Sequence, residues 1–165
     1  MIVLVSDTSI LVDLERGGLL EAAFTCGLTM VVPDLLYQRE LEGTNGAYLR
    51  TLGLNVVELT PDELSLAQKI RTQRLALSLP DCFALCCALR PEHALLTGDK
   101  ALRKEAEARR VHAVHGLLWV LDQMAASERC QMTLLHEGLS RIAADPRCRL
   151  PLLEIQARLA KWSSS

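Results

Sequence analysis

The sequence has few aromatics, no surplus of positive charge, no paired-cysteine spacing and no long apolar run, and each lack removes a class of protein. Two Phe, two Tyr and two Trp make up 4% of the chain. That is too few for a platform on which single-stranded bases stack, so nucleic-acid contacts would have to rest on shape and backbone. Lys and Arg number 18 against 20 Asp and Glu, a formal charge of −2. No global positive field draws in a polyanion, and basic contacts must be local. The six cysteines, Cys26, Cys82, Cys86, Cys87, Cys130 and Cys148, contain no C-x-x-C pair, which argues against zinc. Cys82, Cys86 and Cys87 read instead as small hydrophobes of a buried helix, and the four histidines as structural or surface residues. No apolar run approaches the ~18 residues of a membrane span. The opening Ile2-Val3-Leu4-Val5 is soon followed by Asp7, Asp13, Glu15 and Arg16, unlike a signal peptide. A soluble, cytoplasmic protein is the expectation.

What is present is a globular balance tilted toward aliphatic packing, with half the residues hydrophobic and 23% charged. A domain of ~150 residues buries roughly 70% of its unfolded surface, so the fold needs neither metal nor disulfide. Short aliphatic runs at 2–6, 29–32, 55–59, 94–97 and 111–114 alternate with segments of helical period, the signature of βαβ units and a parallel sheet. Thr8 or Ser9 can cap a first helix through Ile10, Leu11 and Leu14, which Gly17-Gly18 stops. Pro33-Asp34 opens a helix with Glu40 about two turns in. Thr60-Pro61-Asp62-Glu63 reads as a capping box, and Ser78-Leu79-Pro80-Asp81 repeats its logic, putting Asp81 in the first turn of an apolar helix. Further helices follow over 101–110, 117–125, 130–143 and 152–162. The pattern predicts a three-layer α/β/α fold around a central parallel sheet of about five strands. Residues 1–126 form its main body, and 127–165 a helical extension packed on the same domain.

Open parallel sheets bind ligands outside the carboxyl ends of their strands, and two acids fall there. Asp7 follows the first run and Asp99 follows Ala94-Leu95-Leu96-Thr97-Gly98. Either alone is explained as a helix N-cap. Glu40 and Asp81 lie in hydrophobic helices, where charge is costly unless it meets solvent or a partner. Glu40 can still be an ordinary exposed residue, and Asp81 only the acid of its capping box. Spacing alone does not bring the four together.

Four ordered blocks carry a resemblance to a known family: Val5-Ser6-Asp7-Thr8-Ser9-Ile10-Leu11, Val32-Pro33-Asp34-Leu35-Leu36-Tyr37-Gln38-Arg39-Glu40-Leu41, Leu79-Pro80-Asp81-Cys82-Phe83-Ala84-Leu85, and Leu95-Leu96-Thr97-Gly98-Asp99-Lys100-Ala101-Leu102. With the closing segment His115-Gly116-Leu117-Leu118-Trp119-Val120-Leu121, the chain resembles the PIN-domain family over residues 2 to about 124, and in particular its toxin-type, VapC-like ribonucleases. Arg103 stands where some members carry a further acid, and the tail is longer than in compact toxin members. The resemblance implies a nuclease hydrolysing RNA phosphodiester bonds. Its catalytic acids would be Asp7, Glu40, Asp81 and Asp99, with Asp7, Asp81 and Asp99 holding Mg²⁺ or Mn²⁺, hard cations that suit carboxylate oxygens. Thr8 and Thr97 would be hydroxyls fixing those carboxylates, although capping explains them equally well.

Arg39, Lys100, Arg103 and Lys104 are the candidate phosphate contacts, with Arg109 and Arg110 further along the same helix. Glu105 and Glu107 balance them, so a solvated face explains the later residues as well. The resemblance also implies an antitoxin protein that covers the acidic site, and a homodimer. The tail offers apolar stripes in Leu134, Leu135, Leu139, Ile142, Leu152, Ile155 and Leu159. An aspartyl phosphatase is disfavoured, because Ser9 stands where a second aspartate is needed, and a receiver domain lacks its acidic pair. A catalytically silent PIN-like scaffold that binds protein or nucleic acid remains the alternative.

Overall fold

In the computed structural model, which describes residues 2–163, the aliphatic runs form one all-parallel sheet. β1 (Val3–Ser6), β2 (Met30–Pro33), β3 (Asn55–Val57), β4 (His93–Leu96) and β5 (Val114–His115) stand in the order β3-β2-β1-β4-β5. Leu4 and Val5 sit opposite Met30 and Val31 on one side and Ala94 and Leu95 on the other. Leu4 to Ser6, all of β2, and Ala94 to Leu96 are buried without alternation, as parallel strands between packed layers are. The sheet and its flanking helices have the expected α/β/α class.

The fifth strand departs from expectation. The run at 111–114 yields only Val114 and His115 as strand, because the preceding helix closes late. Arg110 takes a φ of 61° and the Val111 N–H bonds back to the Ala106 carbonyl at 3.0 Å. Val111 therefore seals a helix end of the left-handed kind instead of starting a strand.

The helices are α1 (Thr8–Arg16), α2 (Leu20–Thr25), α3 (Asp34–Leu36), α4 (Gly46–Leu52), α5 (Pro61–Gln73), α6 (Leu79–Ala88), α7 (Lys100–Ala108), α8 (Leu117–Ala126), α9 (Met132–Ala144) and α10 (Leu152–Ser163). α3 runs straight into one turn of π-helix, Tyr37–Leu41. Both predicted capping boxes are present. Thr60 accepts from the Glu63 N–H at 3.1 Å while Glu63 accepts from the Thr60 N–H at 2.8 Å, and Ser78 and Asp81 reciprocate at 3.1 and 2.9 Å. α6 buries every residue from Cys82 to Ala88 and packs on β1, β2, β4 and α5. Burial pushes the Cys82, Cys86 and Cys87 thiols up to about 11, 12 and 11, so they are inert core groups.

The chain forms two compact units. One gathers the residues up to Ile10 with Thr29–Gly116 and holds the whole sheet; the other gathers Leu11–Leu28 with the chain from Leu117 on. In the second unit α9 packs along α10 and α8, and α8 meets α2. Gly138 lets α9 come close to the turn after α1, since a Cβ there would stand 2.6 Å from Leu19 Cδ1 and 2.9 Å from the Gly17 carbonyl. Arg158 of α10 forks onto Asp122 of α8 at 2.8 and 2.7 Å, a bidentate pair with fixed geometry. Leu135, Leu139, Ile142 and Ile155 are buried. Leu152, expected in that stripe, lies outside it: Leu152 is 65% exposed and its neighbour Leu153 79%. No helix among the described residues is long and apolar enough to cross a membrane.

Candidate functional site

The sheet order places β1 beside β4, where the connections reverse direction. In open α/β sheets that switch point is where a crevice opens at the carboxyl edge. Asp7 is the first residue beyond β1, and its N–H still pairs with the Leu96 carbonyl of β4 at 2.8 Å. Thr97 is the first residue beyond β4, with its N–H on the His115 carbonyl of β5 at 3.0 Å. The sheet thus holds both at its rim.

Thr97 Oγ1 donates to Asp7 Oδ2 at 2.9 Å and accepts from the Asp99 N–H at 3.0 Å. One hydroxyl therefore ties the acid after β1 to the loop that carries the acid after β4. Ser9 Oγ donates to the same Asp7 Oδ2 at 3.0 Å and accepts from the Gly98 N–H at 3.1 Å. Asp99 caps α7, its Oδ1 accepting from the Leu102 N–H at 2.9 Å.

Glu40 arrives from the π turn. The extra residue in that turn re-aims the side chains that follow, a distortion found often at functional sites. Its Oε1 accepts from Thr8 Oγ1 at 2.6 Å, across 32 residues of sequence. Arg39, beside it, lies over the Phe83 ring of α6 with 6.0 Å to the centroid, a cation–π contact that helps hold the π turn to the helix bearing Asp81. Gly46 closes the turn from behind, where a Cβ would come within 2.7 Å of the Leu41 carbonyl oxygen.

The electrostatics follow from this packing. Asp7 is 5% exposed, and its carboxyl is raised from 3.8 to about 6. Burial is the main cause, followed by the Asp81 carboxylate; Glu40 adds a smaller push, and the Thr97 and Ser9 hydroxyls oppose the rise. Elsewhere, acids such as Asp13, Glu63, Glu105, Asp122 and Asp145 have an arginine partner. Among the described residues Asp7, Glu40, Asp81 and Asp99 have none.

Each of the four spends one oxygen on the protein and leaves the other open. The held atoms are Asp7 Oδ2, Glu40 Oε1, Asp81 Oδ2 and Asp99 Oδ1. Among the described residues no donor meets the second oxygen of any of them and no buried polar side-chain atom lacks a partner, so Asp7 Oδ1 faces solvent. As placed, no three His, Cys, Asp or Glu side chains among the described residues could hold a metal ion together. The donor chemistry nevertheless fits a hard divalent cation, since the set is all carboxylate, lacks a counter-charge and already disfavours ionisation at Asp7.

The structure brings Asp7, Thr97 and Asp99 into one hydrogen-bonded chain, with Thr8 on Glu40 and with the Glu40 and Asp81 charges felt at Asp7. Thr8 is the first helical residue of α1, and its hydroxyl goes to a carboxylate instead of capping that helix. Ser9 is the site residue that sequence reasoning passed over. The signal was a hydroxyl two positions after Asp7, matching Thr97 two before Asp99. Of the basic residues, Lys100 and Lys104 are exposed, and Arg103 reaches the Val114 carbonyl at 3.4 Å without a carboxylate partner. Arg109 is paired with Glu105 at 2.9 Å, so it belongs to the balanced face.

A family model described as a PIN domain matches residues 3–164. No curated protein and no solved structure matches the chain.

Proposed function

The chain belongs to the PIN-domain family, whose members are in general nucleases that use divalent metal ions, and from that premise we propose that it is an endoribonuclease of toxin–antitoxin type working with Mg²⁺ or Mn²⁺. The observation that carries the reading is the set of four carboxylates without a basic partner, each with one oxygen held and one open. Asp7, Asp81 and Asp99 would hold the ion through their open oxygens. When bound, a divalent ion polarises the scissile phosphate and lowers the pKa of water toward ~7.

The chain's own residues supply the rest. Glu40, oriented by Thr8, has Oε2 free to accept a proton from the attacking water. Ser9 and Thr97 keep Asp7 in one rotamer, which limits the reorganisation the site must undergo. Asp81 uses Oδ2 in its capping box and can turn Oδ1 outward without giving up the cap. Arg39, Lys100, Arg103 and Lys104 are the side chains offered to RNA phosphates flanking the scissile bond.

A silent PIN-like scaffold is the second reading, favoured by the lack of three ligands close enough to enclose an ion. One assay separates the two. Purified protein is incubated with structured RNA in Mn²⁺ or in EDTA, beside Asp7→Asn and Asp99→Asn. The nuclease reading expects cleavage that needs the ion and both aspartates. Equal cleavage by all three proteins, or none by wild type in Mn²⁺, rejects it.

Two partner assignments go with this reading. An antitoxin protein would cover the acidic crevice, and exposed Leu152 and Leu153 of α10 would contribute to a homodimer. Two leucines over a two-fold axis gain roughly 25 cal/mol per Å² of apolar surface buried, less the cost of association. Sedimentation of wild type and of the Leu152→Glu/Leu153→Glu variant tests the dimer: wild type should dimerise and the variant should not. A wild type that stays monomeric at high micromolar concentration defeats it.

A further inference from the structure

Cys82, Cys86 and Cys87 lie inside the core around α6, but two other cysteines meet in the second unit. Cys26 closes α2, Cys130 lies in the loop between α8 and α9, and their thiols share a hydrogen bond. The segments that carry them are held together by more than this contact. α2 packs on α8, and a Cβ at Gly27 would stand 3.5 Å from Arg129 Nη1, so the chain neighbours of the two cysteines also lie against each other. Cys26 is 8% exposed and Cys130 7%, against 0% for Cys82 and Cys87. Both keep an edge open to small reagents.

From this placement we propose that Cys26 and Cys130 are a redox pair, which a low-molecular-weight disulfide of the glutathione class converts to a disulfide tying α2 to the α8–α9 loop. One cysteine attacks the small disulfide as its thiolate, forming a mixed disulfide and releasing one small thiol. The other attacks the protein sulfur of that mixed disulfide and releases the second. The protein gives up two hydrogens, and the small disulfide is reduced to two thiols. An S–S bond is about 2.05 Å long, so the sulfurs must draw in from hydrogen-bond contact. Cys130 stands outside regular structure and Cys26 at a helix end, where torsions supply that movement without breaking a helix. Burial first, and Cys26 beside it, hold the Cys130 thiol above its ordinary value. Thiolate is therefore scarce near neutral pH, and the exchange quickens as pH rises. The bond closes a loop of roughly 100 residues and joins the two stretches of chain that make up the second unit. It is independent of the nuclease reading, because Asp7, Glu40, Asp81 and Asp99 all belong to the other unit.

The test equilibrates the reduced full chain with mixtures of reduced and oxidised glutathione, blocks the remaining thiols with an alkylating reagent, and reads intact mass and a peptide map. A loss of about 2 Da for the two hydrogens removed is expected, with one peptide pair joining Cys26 to Cys130 that a reducing agent separates. Oxidation should also raise the melting temperature by about 5 °C or more, the scale of a bond that closes a long loop. Cys26→Ser and Cys130→Ser should each abolish that rise. Cys26 and Cys130 both alkylated at the most oxidising ratio, or either one joined to a different cysteine, overturns the proposal. A bond that forms without changing the melting temperature overturns its hold on the second unit. Should the serine variants not fold, the wild-type peptide map and melting curves decide both points.

Discussion

Replacing Asp7 by Asn should stabilise the metal-free protein near neutral pH and do so less and less as the pH falls. The folded-state carboxyl is raised from 3.8 to about 6, a change of about 2 units at ~1.4 kcal/mol each. The sign follows from linkage. A raised folded value means that the fold prefers the protonated acid. The contribution is complete below the unfolded value near 3.8 and is lost as pH rises through about 6, some 3 kcal/mol in all. Relaxation around the charge reduces this, so about 2–3 kcal/mol is expected. The Asn side-chain oxygen can still accept from Ser9 and Thr97 while its NH₂ takes the open side, so the variant loses the charge and keeps the hydrogen bonds. Urea unfolding in EDTA near pH 4.5 and near pH 7.5 measures the effect. The gap between variant and wild type should widen toward high pH, and every group the two share cancels from that difference. With Mn²⁺ in excess the order reverses, because only wild type gains from binding to the native state. A gap that does not change with pH would refute the electrostatic account of the site.

Thr97→Val removes a donor to Asp7 and an acceptor for the Asp99 N–H in a buried position; it should cost about 1–3 kcal/mol in urea unfolding and weaken Mn²⁺ binding, and unchanged values in both would contradict the bridge. Gly46→Ala puts a Cβ 2.7 Å from the Leu41 carbonyl oxygen, so it should cost about 1–3 kcal/mol by overpacking and lower nuclease activity through Glu40; a variant as stable as wild type would show that the π turn yields freely. Glu63 is held at about 2, chiefly by the Arg90 guanidinium. Its contribution is present above the unfolded value near 4.5 and is lost as pH falls through about 2, so Glu63→Gln should flatten the acid limb of the stability curve. Acid unfolding of the two proteins along the same limb would exclude that pair as its source.

Much of the architecture was legible because it depends on local rules. Strand runs, capping boxes and glycine stops are each decided within a few residues, and Thr60-Pro61-Asp62-Glu63 and Ser78-Leu79-Pro80-Asp81 form the motifs their sequences spell. Legibility failed where the outcome hangs on a neighbour elsewhere in the chain. Val111 reads as a strand start until the αL residue Arg110 sends its N–H back to Ala106. The π turn at Tyr37–Leu41 has no sequence signature at all. It depends on Gly46 behind it and on Phe83 beneath Arg39, the latter pair 44 residues apart and in no local pattern.

The four acids show why the structural and functional readings of such residues compete at the level of sequence. Asp99 is an N-cap and Asp81 is the acid of a capping box, as the plainer reading has it. Each role consumes a single oxygen, and a carboxylate has two. The cap supplies what a binding site needs, namely a side chain whose rotamer is already fixed, so that little conformational entropy remains to be lost when a ligand arrives. Asp7 goes further, with two hydroxyls on one oxygen and burial on most sides. Its remaining oxygen is the point where the fold has left negative charge without a partner. Local structure and site are therefore one arrangement seen from the two oxygens of each carboxylate, and a substitution such as Asp81→Asn, which can keep the cap while removing the charge, separates them.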